Sequence, residues 1–247
     1  MTIDNDWFSS WFDTPYYHML YKHRDVEESQ LFMRNLTQFL DLKPASHILD
    51  APCGKGRHAV FLNTLGYRVT GQDLSKNSIE SAQQFANEQL SFSVHDIRDP
   101  FKEKYDAIFN LFTSFGYFKD DTEDVKVLQN IQASLKKDGV AVIDFLNVER
   151  TRNTLVAEET QIIDGITFHI KRNITDGFIY KHISFFADAQ EHSYTERVKY
   201  LDLPAFEKQL AKAQLTLQHV FGSYQLEPFQ KATSPRLILV INSCISS

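Results

Sequence analysis

His47-Ile-Leu-Asp-Ala-Pro-Cys-Gly-Lys-Gly-Arg-His-Ala59 sets how the rest of the chain is read. The apolar pair Ile48-Leu49 leads to a carboxylate, Asp50. Gly54 and Gly56 follow, and then a helical-looking run from Arg57 to Leu65. That order reads as strand, tight turn, helix. Glycines at such a turn let backbone N–H groups come close to a ligand, and the helix N-terminus adds partial positive charge. The next block repeats the logic. Tyr67-Arg-Val-Thr-Gly-Gln-Asp-Leu74 is a second strand ending in an acid, Asp73, and Ser75 is placed to cap a helix over 76–87. Strand, glycine turn, helix, strand and acid together make a nucleotide-binding half-fold.

Working outward, residues 25–41 carry Phe32, Leu36, Phe39 and Leu40 on one helical stripe, and Lys43-Pro44 ends it. Strands are expected at 46–51, 67–73, about 90–95 and Tyr105 to Asn110. A helix at about 121–136 has Val125, Leu128, Ile131 and Leu135 as its buried face, Asp121 as cap, and Gly139 just past its end. Val140 to Leu146 suits a fifth strand buried on both faces. Strands alternating with helices imply a parallel sheet with right-handed crossovers.

After residue 150 the pattern changes. Ile166, Phe168 and Ile170 alternate with polar residues, and Asp164-Gly165 and Asp176-Gly177 are hairpin signals. Residues 155–201 therefore read as an inserted antiparallel sheet of three or four strands, expected to lie over the carboxyl edge of the main sheet and shape an acceptor pocket. A helix from Pro204 and strands at about 215–223 and 236–243 close the chain. This divides it into an aromatic N-terminal cap, 1–24, a core of 25–154 with 202–247, and the insert.

Composition narrows the function classes. A net charge of −6 over 247 residues argues against a nucleic-acid surface. The cysteines, Cys53 and Cys244, make neither a disulfide framework nor a metal cluster. No apolar run approaches the roughly 20 residues of a membrane helix, and the N-terminus has no basic and apolar leader pattern. The expectation is a cytoplasmic protein, with a homodimer left open.

Two ligand classes use a half-fold of this kind. Gly54-Lys-Gly56-Arg-His-Ala59 fits the dinucleotide fingerprint, with Asp73 at the distance that fingerprint expects. The other class is S-adenosylmethionine. Asp50 to Gly56 resembles the first motif of class I methyltransferases, and the resemblance continues from about residue 12 to residue 243. His95-Asp96-Ile97 matches the acid the family carries after its third strand, and Phe109 to Tyr117-Phe118 matches a fourth motif. The nearest likeness is to small-molecule methyltransferases with an aromatic N-terminal segment and an inserted β-sheet. Pro52 departs from the family, standing where a glycine is usual; its fixed φ removes positive-φ freedom there. A helix followed by two strands resembles the methyltransferase finish. The fold class implied is a Rossmann-like α/β sheet with a C-terminal antiparallel strand and the inserted antiparallel sheet.

The resemblance implies site residues. Asp50, Ala51, Pro52, Gly54 and Gly56 hold the methionine end and the adenosyl group. Asp73, with Leu74, meets the ribose. Asp96 and Ile97 meet the adenine, and Asn110 and Leu111 approach the methionyl part. Tyr16, Tyr17, Tyr21 and Arg24 close over the cofactor, with Arg24 on its carboxylate. Toward the acceptor stand Thr113, Ser114, Phe115, Tyr117, Phe145 and Asn147, at or after strand ends. His18, His169, His182 and His192 are candidate bases. His58 reads as a packing or capping residue and Cys53 as a small residue suited to the turn. The activity implied is methyl transfer to nitrogen or oxygen of a small molecule. The rivals are a non-catalytic S-adenosylmethionine-binding module and an NAD-dependent oxidoreductase.

Overall fold

The computed structural model describes residues 7–22 and 26–244. Two short helices come first, α1 (Trp7–Trp11) and α2 (Pro15–Leu20), and then α3 (Val26–Phe39). The βα rhythm follows as β1 (His47–Asp50), α4 (Arg57–Thr64), β2 (Arg68–Asp73), α5 (Lys76–Gln83), β3 (Leu90–Val94), β4 (Tyr105–Asn110), α6 (Asp121–Ser134) and β5 (Leu135–Leu146). Next are α7 (Val148–Thr154), β6 (Glu158–Ile163), β7 (Ile166–Thr175), β8 (Phe178–Ala187) and β9 (Gln190–Lys199). The chain closes with α8 (Leu203–Lys212), β10 (Leu215–Phe221) and β11 (Arg236–Ser243).

The main sheet has seven strands in the order β10-β11-β5-β4-β1-β2-β3. β1 to β5 pair in parallel, whereas β11 runs antiparallel to both β5 and β10. The dinucleotide alternative expects further βαβ units where this antiparallel finish stands. Because side chains alternate along a strand, Ile48 and Leu49 enter opposite faces, and both are fully buried. Ile48 joins Val69, Phe109, Val142 and Ile238 beneath α3, α4 and α5, while Leu49 joins Ile108, Ile143 and Leu239 on the face of α6 and α8. Burial of an Ile or Leu contributes roughly 1.5–3 kcal/mol, so the double-sided core holds the strand ends rigidly. The strand order reverses between β1 and β4, which opens a crevice at their carboxyl ends.

The second sheet, β6-β7-β8-β9, is wholly antiparallel. Phe168, Ile170, Ile183 and Phe185 are buried in the same cluster as Trp7 and Trp11. Trp11 stacks on Tyr194 of β9, with ring centroids 4.3 Å apart. The N-terminal helices therefore sit between the two sheets. Lys199, at the end of β9, reaches Asp124 and Asp121 of α6 at 2.5 and 2.6 Å, which joins the second sheet to the core.

Several boundaries differ from the sequence reading, each for a physical reason. Asp120, not Asp121, caps α6, its Oδ1 accepting from the Thr122 amide at 2.8 Å. β5 begins at Leu135 rather than Val140, so Gly139 is inside it and is not a helix cap. A Cβ at Gly139 would meet the Lys136 and Tyr105 carbonyl oxygens at 2.9 and 3.0 Å, so glycine there permits close backbone approach. The third hairpin of the insert turns on Asp188-Ala189, both at positive φ, without the glycine that marks the other two. Among the described residues no helix is long and apolar enough to cross a membrane.

Candidate functional site

A cavity of about 450 Å³ opens at the carboxyl ends of β1, β2 and β4, roofed by α1, α2 and the inner face of β9. At its inner end lies the turn after β1. Gly54 has φ of +55° and open space where a Cβ would project, so a ligand can approach its backbone. Gly56, at φ of +82°, begins α4, and a Cβ there would strike Phe92 at 2.6 Å. The Asp73 carboxylate ties turn to strand: Oδ2 accepts from the Gly54 amide at 2.7 Å and Oδ1 from the Ser75 amide at 2.9 Å. Each oxygen keeps a lone pair for a ligand hydroxyl. Burial pushes the Asp73 pKa up, and those amides partly oppose it.

The expected residues separate into two groups. Tyr17, Tyr21, Pro52, Gly54, Asp73, Leu74, Asp96, Ile97 and Leu111 line the cavity. Asp50, Ala51, Gly56 and Asn110 lie behind that wall. Asp50 is 1 % exposed, and neither carboxylate oxygen has a hydrogen-bond partner. Burial, with Asp73 adding, pushes its pKa up to about 7; the nearby Ala59 amide, outside hydrogen-bond geometry, and the Arg57 charge oppose. Asn110 donates to the Ala51 and Ser114 carbonyls at 3.1 and 3.2 Å, bracing the turn against the loop after β4. Arg24 lies outside the described residues. The Asp96 carboxylate is held by Arg98 through contacts of 2.6 to 3.0 Å, which an adenine amine would have to share.

On the acceptor side Thr113, Ser114 and Tyr117 line the cavity, while Phe115, Phe145 and Asn147 do not. Phe115 and Phe145 are fully buried against Phe206 of α8. Asn147 caps α7 and donates to the Lys231 and Ser234 carbonyls. Alternation along β5 sends Phe145 to the face of α8, whereas Phe115, in the loop after β4, is turned away by packing on Phe206 and Asn147 by its capping role. Of the candidate bases only His18 lines the cavity; His169, His182 and His192 are on the second sheet. Tyr16 also turns to that sheet, its hydroxyl donating to Asp188 and its ring against Phe185. His58 lines the cavity and stacks on Phe112 at 4.6 Å. The Cys53 thiol is buried, and burial together with Asp50 and Asp73 pushes its pKa up, against a thiolate nucleophile. Among the described residues no acid, cysteine and histidine cluster could hold a metal.

Sequence reasoning missed three features. Asp13, between α1 and α2, accepts from the Ser75 hydroxyl and from Asn77 Nδ2 at 2.6 Å, fastening the N-terminal segment beside Asp73. Glu196 of β9 enters the cavity wall, bonded to Trp11 and Tyr21. Buried Asp144 of β5 holds the loop after β4: its Oδ2 accepts from the Phe112 amide at 2.8 Å and its Oδ1 from Arg236 Nε at 2.7 Å. No local pattern signals such contacts, because each joins residues distant in sequence.

The strand order with its antiparallel finish, the glycine turn after β1 and the acid ending β2 form the Rossmann-like architecture that the methyltransferase resemblance implies. A family profile described as a methyltransferase domain matches residues 42–201, and the chain belongs to that family. An S-adenosylmethionine-dependent methyltransferase from Clostridium acetobutylicum superposes with a TM-score of 0.78 at 18% identity, over 92% of this chain and 96% of that one. A SAM-bound amino pentose methyltransferase from Micromonospora echinaspora gives a TM-score of 0.68 at 16% identity, over 93% and 97%. The glycine/sarcosine N-methyltransferase of Aphanothece halophytica is 26% identical over 132 residues, 51% of this chain and 48% of that protein. The chain spans about half the length of the curated relatives it matches.

Proposed function

We propose that this protein transfers the methyl group of S-adenosylmethionine to a nitrogen or oxygen of a small molecule, with nitrogen favoured. One observation carries the reading. A single cavity joins the Gly54 turn and Asp73 at one end to an aromatic wall from α1, α2 and β9 at the other. The name of the glycine/sarcosine N-methyltransferase relative supports an amine.

The residues fit the cofactor. The open space over Gly54 and the spare lone pairs of Asp73 suit an adenosyl group. Leu74 and Ile97 offer apolar surface for the base, with Asp96 beside them. Asp50, Ala51, Pro52, Gly56, Asn110 and Leu111 shape the methionyl end, and Tyr17, Tyr21 and Arg24 are assigned to its cover. When bound, S-adenosylmethionine supplies a methyl group already activated on a sulfonium. The acceptor lone pair forms the new bond to that carbon as the carbon–sulfur pair leaves with sulfur. This chain orients the partners in line and excludes water, the chief demands of such a displacement. The region 155–201 serves as a wall of the acceptor pocket, through Glu196 and Val198.

Thermal unfolding tests the reading. S-adenosylhomocysteine at about 100 times its dissociation constant should add about 2.7 kcal/mol of stability, and NAD should add none. Asp73→Ala should weaken S-adenosylhomocysteine binding by about 1–3 kcal/mol, the range for hydrogen bonds to a charged acceptor. A melting temperature raised by NAD and indifferent to S-adenosylhomocysteine would sink the proposal.

A further inference from the structure

A wall of rings from α1 and α2 lines the cavity and runs from Trp7 through Phe12 and Tyr17 to Tyr21, beside the carboxylate of Glu196. Trp7 meets Phe8, Phe12 and Tyr117 edge-on at 5.9, 5.3 and 5.4 Å between centroids. Phe8 and Phe118 lie at the far end of that wall, beneath the Arg98 guanidinium that holds Asp96. Glu196 comes from the middle of β9, between Tyr194 and Val198 on the inward face. Its Oε1 accepts from Trp11 Nε1 at 2.8 Å and from the Tyr21 hydroxyl at 2.7 Å; its Oε2 is 2.8 Å from the same hydroxyl. Both donors are neutral. Lys181, paired across β8 and β9 with Glu196, donates to the Tyr21 hydroxyl at 2.7 Å, so the proton of that hydroxyl is directed to Glu196. Lys181 offsets part of the charge from behind Tyr21, and Lys22 at the cavity edge pairs with Asp164.

A carboxylate on the apolar face of a strand is costly unless a partner offsets it. Trp11 and Tyr21 fix this one in place, and Oε2 retains acceptor capacity. Ring faces nearby attract a cation and exclude water. We propose that the acceptor is a primary or secondary amine on an apolar or aromatic frame, and that Glu196 receives its ammonium form while the rings hold the frame. The ammonium passes one proton to the Glu196 carboxylate, and the lone pair so freed forms the bond to the methyl carbon as the carbon–sulfur pair leaves with sulfur. The inference rests on the methyl-transfer reading above and deepens it. An alcohol of the same shape would meet the same rings. It would make a single charge-assisted bond to the carboxylate, without the ionic attraction between opposite charges.

The test uses the full chain saturated with S-adenosylhomocysteine and a matched pair of probes, 2-phenylethylamine and 2-phenylethanol, in calorimetric titrations. The amine is expected to bind at least about tenfold more tightly than the alcohol. Glu196→Gln, whose side-chain oxygen can still accept from Trp11 and Tyr21, should erase that preference while the variant still binds S-adenosylhomocysteine. Glu196→Asp, which keeps the charge on a shorter stem, should retain part of the preference. Equal binding of amine and alcohol, binding of neither at millimolar concentration, or a preference that survives Glu196→Gln would overturn the inference. The wild-type comparison and Glu196→Asp decide the matter if Glu196→Gln does not fold. Failure of S-adenosylhomocysteine to bind the wild-type chain would instead remove the reading beneath it.

Discussion

Asp144→Ala is expected to lower the unfolding free energy by about 3–5 kcal/mol, the range for breaking a buried ion pair from one side. Asp144 is fully buried on β5, and the Arg236 side chain opposite is 19 % exposed. Truncation would strand that guanidinium and remove the acceptor of the Phe112 amide, together with a 3.3 Å contact from the Tyr224 hydroxyl. The loop itself needs this support. Phe112 and Thr113 stand at φ of 58° and 63°, a left-handed pair that neither side chain favours. Arg236 also donates to the Thr113 hydroxyl at 2.9 Å, and Thr113 and Ser114 form part of the cavity wall. The variant should therefore also bind its acceptor less well where it remains folded. Asp144→Asn keeps an oxygen for the Phe112 amide and should lose about half as much stability. Denaturant unfolding of the two variants checks both statements. A loss below about 1 kcal/mol for Asp144→Ala would show the loop does not depend on this carboxylate.

What could be read in advance is what short spacings encode. The turn after β1, the acid ending β2 and the cap of α5 each sit within a few residues of the strand or helix they serve, so sequence order alone placed them together. Asp164-Gly165 and Asp176-Gly177 marked hairpins because glycine signals positive φ. Asp188-Ala189 carried no such mark, and only the pairing of β8 with β9 forces Ala189 into that conformation. Glu196 looked like an ordinary polar position on an alternating strand. Its inward direction follows from register with Lys181 and from Trp11, 185 residues earlier. The link between Asp144 and Arg236 spans 92 residues and was hidden for the same reason. Phe115, Phe145 and Asn147 show the opposite limit. Nearness to a strand end does not say which side of the sheet a side chain faces.

Asp50 should make the unliganded protein less stable as pH rises. Its pKa is pushed from about 3.8 up to about 7, burial first and Asp73 second. The folded chain thus keeps a proton that the unfolded chain has already released across that window. Stability is highest near the bottom of the window, falls as pH rises toward 7, and levels off above it. About 3 units at 1.36 kcal/mol each give an effect on the order of 4 kcal/mol. Asp124, pushed up to about 6 by burial, and Asp73 act in the same sense, so the wild-type slope alone does not isolate Asp50. Asp50→Asn does, because the amide stays neutral at every pH and occupies nearly the same volume. The variant should match the wild type below about pH 4, near the bottom of the window, and exceed it increasingly from there to pH 8, measured without ligand by denaturant unfolding. S-adenosylhomocysteine should reverse the order. If the ionised Asp50 faces the methionyl end, as proposed, the ammonium of the ligand favours the charged carboxylate. Binding by the wild type should then release a proton near pH 7, and Asp50→Asn should lose both that release and affinity. Calorimetry in two buffers of different ionisation enthalpy reads the proton directly. Equal pH slopes for wild type and Asp50→Asn would show that this carboxylate does not carry the titration.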